Sequence, residues 1–132
     1  MDKRIYREYV AILKDELQPA MGCTEPIAVA YCAALARQTL GALPETVEVL
    51  ASANIIKNVK SVIVPNTNGL RGIAAAAAAG IVADNADAQL QVLAELTPEQ
   101  VESVGTYLEQ AAFTVGRSDK DYVFDIQVRV TA

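Results

Sequence analysis

Ile73-Ala74-Ala75-Ala76-Ala77-Ala78-Ala79-Gly80-Ile81-Val82 is the run on which the fold turns. Alanine is the strongest helix former, and six in a row predict a helix that ends at Gly80 or shortly after. A helix with no polar face packs closely between neighbours and is not a surface element. The run is the longest apolar stretch in the chain, yet it is too short to span a bilayer. Immediately before it stands Pro65-Asn66-Thr67-Asn68-Gly69-Leu70-Arg71-Gly72, a loop rich in turn formers. A Gly/Asn loop feeding a helix N-terminus is a ready anion site, because backbone N–H groups converge there and the helix dipole assists them. The Gly-Lys-Ser/Thr signature of a Walker loop is absent. The same residues also suit a plain tight turn before a packed helix.

Composition narrows the field. The chain has 132 residues, enough for one domain, 1–132, with a real core. Hydrophobic residues make up 52% and charged residues 20%, the balance of a globular protein. The net charge is −5 and there is no basic stripe, which disfavours nucleic acid and anionic membranes as partners. Histidine is absent, so His-based triads and His-ligated zinc are excluded. Met1-Asp2-Lys3-Arg4-Ile5 leads into an amphipathic pattern with no apolar leader core, so a cytoplasmic location with reduced thiols is expected.

Working outward, residues 3–17 carry Tyr6, Tyr9, Val10, Leu13 and Leu17 at helical spacing, which predicts a first helix ended by Pro19. A second helix is predicted over 25–40, with Thr24 as N-cap, Pro26 in the first turn and Gly41 at its close. Residues 46–52 read as a strand with Val47 and Val49 on one face. The polar positions 54, 57, 58 and 61 share one face only in a helix, so a short helix is expected there. Residues 62–64 look extended before Pro65. A strand is expected over 90–96. Thr97-Pro98-Glu99-Gln100 opens a further helix, running to about Ala111, with the makings of a capping box. Residues 113–116 and 122–130 read as two strands joined by a charged hairpin turn. The expected fold is α+β: a single, partly antiparallel sheet packed with helices, one of them the buried Ala-rich helix.

Cys23 lies in Met21-Gly22-Cys23-Thr24-Glu25-Pro26, just ahead of the second helix. Helix N-termini favour thiolate over thiol, and a thiolate attacks substrates or binds metals. A small buried residue in a turn is the alternative. Cys32 lies mid-helix, about 13 Å of rise away, too far for a disulfide or a shared metal with Cys23.

Together, the run from Met21 through Pro26-Ile27-Ala28 and the run from Asn54-Ile55-Ile56-Lys57-Asn58-Val59 to Gly72 resemble the L-cysteine desulfidases, relatives of the iron–sulfur L-serine dehydratases. The Pro-Asn-Thr-Asn-Gly loop is similar to a Pro-Thr-Asn-Gly loop of those dehydratases. The resemblance implies a lyase that eliminates sulfide from L-cysteine, or water from L-serine, giving pyruvate and ammonia. It implies a [4Fe–4S] cluster with Cys23 as one ligand and an open iron acting as Lewis acid. It makes Lys57 a candidate catalytic charge, and Asn54, Asn58, Asn66, Thr67 and the amides around Gly69 candidates to hold the substrate carboxylate. One such cysteine cannot hold a cluster. The resemblance therefore implies an N-terminal portion, or one subunit of a split enzyme, whose partner brings the other cysteines. Alone, the chain is expected to bind no intact cluster, to be inactive, and to expose an apolar docking surface open to self-association. The other reading is a non-catalytic module that binds a small anion or carboxylate, or an interaction subunit. A pyridoxal phosphate enzyme using Lys57 or Lys60 has no further support in the sequence.

Overall fold

The structure, a computed structural model, describes residues 6–11, 24–60, 62–64, 67, 69–94, 96–117 and 126–132. Strands β1 (Tyr6–Ala11), β2 (Thr46–Ala51), β3 (Ala112–Arg117) and β4 (Ile126–Thr131) form one sheet in the order β1-β4-β2-β3. β4 runs antiparallel to both β1 and β2, and β3 runs parallel to β2. Helices α1 (Thr24–Leu40), α2 (Ala53–Val59), α3 (Ile73–Ala83) and α4 (Pro98–Gln110) complete an α+β fold, as expected.

The period-2 pattern decides which side of the sheet is core. Val47, Val49 and Ala51 of β2 are buried, as are their β4 partners Val130, Val128 and Ile126. The alternate positions Glu48 and Arg129 lie opposite each other and form an ion pair at 3.2 Å. α1 packs against β1 and β4 and, on its other side, against α3.

The alanine run explains how two helices fit there. Ala75 to Ala79 and Gly80 are all buried. A Cβ on Gly80 would stand 2.0 Å from the Ala30 carbonyl oxygen, so α1 and α3 cross backbone against backbone at this point. α4 begins with the predicted capping box: the Gln100 N–H donates to the Thr97 hydroxyl and the Thr97 N–H donates to the Gln100 side chain. Tyr107 of α4 donates its hydroxyl to the Pro44 carbonyl at 2.7 Å and meets Phe113 of β3 edge to face.

Three expectations are corrected. Tyr6–Ala11, expected within a helix over 3–17, is a strand. Its helical spacing of apolar residues is overridden by pairing with β4, more than a hundred residues downstream; residues 12–17 lie outside the described residues. The strand expected over 90–96 is instead a 3-10 helix (Ala86–Gln91) followed by a turn, with Val92 and Leu93 buried. A short apolar run needs only burial, which the 3-10 helix and turn provide for Val92 and Leu93. β3 and β4 are not a hairpin, because β2 lies between them; the expected turn at 117–121 falls largely outside the described residues.

Candidate functional site

The loop before α3 is a small hook. The Val64 N–H donates to the Leu70 carbonyl at 2.8 Å and the Gly72 N–H to the Val62 carbonyl at 3.3 Å, with Ile63 and Arg71 bridged antiparallel between them. Thr67 is buried at the tip, and its hydroxyl donates to the Val64 carbonyl at 2.7 Å. That bond holds the turn in shape, an ST-type contact. Gly69 and Gly72 have φ of 99° and 96°, a backbone region that glycine enters freely. A Cβ on Gly72 would lie 3.4 Å from the Lys60 carbonyl, so the end of α2 abuts the start of α3.

Gly72 is the N-cap of α3 and, as glycine, has no side chain with which to cap it. The Gly72 carbonyl accepts the Ala76 N–H at 3.0 Å. The N–H groups of Ile73, Ala74 and Ala75 come before the first intrahelical bond and have no acceptor within the helix. They add to the positive end of the helix dipole beside the hook. Arg71 is exposed next to them.

Of the sequence-derived candidates, the structure places Thr67 and Gly69 together in the hook, and the end of α2 meets the start of α3 through the Lys60 carbonyl. Asn54, Lys57 and Asn58 fall within α2, the short helix expected from their spacing, and Lys57 is exposed in its last turn. Thr67 and Gly69 belong to the hook. Asn66 and Cys23 lie outside the described residues. Among the described residues, no group of three or more His, Cys, Asp or Glu is placed to hold a metal ion. Cys32 is fully buried in α1, its thiol facing the Ile126 carbonyl at 3.8 Å. The described residues therefore do not form the ligand set of an iron–sulfur cluster.

A concavity elsewhere in the fold went unread in the sequence. It has a volume of about 600 Å³, and Arg37, Leu43, Val82, Glu102, Thr106 and Tyr107 are among its lining residues. Arg37 donates to the Ile81 carbonyl at 2.7 Å and lies 3.7 Å from the Asp84 carboxylate, closing the C-terminal end of α3. Burial pushes the Tyr107 phenol up to about 12, with the Arg37 charge opposing that rise. The available signal was Arg37 itself, the basic residue in the last turn of α1. Among the described residues, no helix is long and apolar enough to cross a membrane.

No family model matches the chain, and no solved structure does either. It is 53% identical over 125 residues to a UPF0597 protein of Desulfitobacterium hafniense, covering 95% of this chain and 29% of that protein. It is 50% identical over 111 residues to a UPF0597 protein of Treponema denticola, covering 84% of this chain and 26% of that protein. A UPF0597 protein of a Shewanella species is 45% identical over 130 residues, covering 98% and 30% respectively. The L-cysteine desulfidase resemblance is thereby corrected: these relatives carry the name of an uncharacterised family, and their names state no activity. The chain is similar to a segment of UPF0597 proteins and spans 26–30% of the length of these three relatives.

Proposed function

We propose that this chain supplies the carboxylate-holding segment of a larger cytoplasmic lyase acting on a small amino acid. The observation that supports this reading is the glycine-capped start of α3 behind the Gly69–Gly72 hook. Its three leading amides and the adjacent Arg71 suit a carboxylate. Lys57 and the amide side chains of Asn54, Asn58 and Asn66 are the next candidates to touch the substrate, while Thr67 shapes the turn.

With the carboxylate held, loss of the α-proton and of sulfide from L-cysteine, or of water from L-serine, leaves an enamine that hydrolyses to pyruvate and ammonia. The remainder of the larger protein, or a partner subunit, brings the rest of the site. A [4Fe–4S] cluster in the complete enzyme would draw its further cysteines from that remainder, with Cys23 as this chain's one contribution. No step here is routed through it, because the described residues do not form its ligand set.

The same Gly72 start of α3 beside the exposed Arg71 also suits a second reading: a module that binds a small carboxylate without turnover. Assaying a full-length relative for pyruvate, sulfide and ammonia from L-cysteine and L-serine, beside calorimetric binding of the same compounds to this chain, separates the two. Product release that is lost on substituting the residue matching Arg71 supports the lyase. Binding without product supports the module, and neither binding nor product contradicts both.

A further inference from the structure

The apolar layer between the sheet and the helices runs off the sheet at β3. In one row across the strands, Val128 and Val49 are fully buried, yet their neighbour Val115 is 43% exposed. In the next row Ile126 and Ala51 are fully buried while Arg117 is exposed. Neighbouring residues in register share a face, so Val115 stands on the core side of the sheet where the core stops covering it.

β3 also has one strand neighbour only, β2, among the described residues. Its sequence, Ala-Phe-Thr-Val-Gly-Arg, holds neither the proline nor the lysine that commonly blunts an exposed edge. The β2–β3 pair is parallel, and parallel pairs belong in the covered interior of sheets. More than two thirds of the length of the similar proteins lies outside the segment this chain matches.

We propose that β3 is an interior strand of a wider sheet: a further strand of the same longer polypeptide pairs along Ala112–Arg117 and its side chains cover Val115. This inference is independent of any activity. In a parallel strand every second amide points away from its existing neighbour. Hydrogen exchange resolved to single amides therefore reads the second edge directly. In a full-length relative, the outward amides of the segment matching β3 are expected to exchange at least about tenfold more slowly than those of this chain. Alternating fast and slow amides in the full-length protein overturns the proposal. So does concentration-dependent protection in this chain that equals the full-length value, since a second copy would then be the partner. A second measurement uses Val115→Lys. It should leave the melting temperature of this chain unchanged, while the matching substitution lowers that of the full-length protein by at least about 3 °C. Equal shifts in the two proteins overturn the proposal.

Discussion

The two ends of α3 are built in opposite ways. At its C-terminus Asp84 turns the chain with φ 52°, its N–H returns to the Gly80 carbonyl, and Arg37 donates to the Ile81 carbonyl while facing the Asp84 carboxylate. Negative helix charge is met there by a cation of the same chain. At its N-terminus Gly72 offers no side chain, and among the described residues the hook's bonds join its own backbone and Thr67. One end is finished by side chains and serves stability. The other is capped by a glycine with no side chain to offer its leading amides, and that contrast is the physical basis for proposing the site there.

The contrast depends on where α3 lies, so the largest effect is expected at its crossing with α1. Gly80→Ala places a methyl group against the Ala30 backbone and should destabilise by more than about 3 kcal/mol, or prevent folding, in chemical denaturation. A near-neutral result would mean that the helices do not meet backbone to backbone, and both ends would have to be placed anew.

At the open end, Gly72→Ala imposes a side chain at φ 96° and ψ 175°, a region that is essentially glycine's alone. A loss of about 1–3 kcal/mol in denaturant midpoints is expected, with weakened carboxylate binding. At the closed end, Arg37→Ala should cost about 1–2 kcal/mol, mostly through the lost bond to the Ile81 carbonyl. The Asp84 pair adds little, since that carboxylate is half exposed. Carboxylate binding should be untouched. If Arg37→Ala abolishes binding while Gly72→Ala spares it, the roles of the two ends are reversed.

The smallest effect concerns pH. The folded state holds the Tyr107 proton up to about pH 12, whereas an unfolded tyrosine loses it near 10. Between those values the folded protein binds more protons than the unfolded one, so stability falls as pH rises. Tyr107→Phe should flatten that alkaline decline in thermal melts, at a cost of about 1 kcal/mol below pH 10 from the lost bond to Pro44.

Local signals were legible wherever one segment decides its own structure. The Thr97/Gln100 capping box, the alternation in β2, the helical spacing of 54–58 and the Ala-rich helix all stand as read. The errors fall where a distant partner decides. Tyr6–Ala11 becomes a strand because β4 pairs with it, and β3 departs from β4 because β2 comes between them. The turn before α3 was legible from its Gly content, since Gly69 and Gly72 both take positive φ. The Arg37–Tyr107 concavity was not, because it joins α1, α3 and α4 across tens of residues.

The central claim is that the open end of α3 binds a small carboxylate. It is tested most directly by titrating the protein with L-serine and with pyruvate while following backbone amide shifts. Saturable shifts concentrated at Ile73, Ala74 and Ala75 and in the hook, absent at Asp84 and weakened in Gly72→Ala, are the predicted result. Shifts that cluster at the Arg37 end of the helix, or no saturable shifts with either compound, would contradict it.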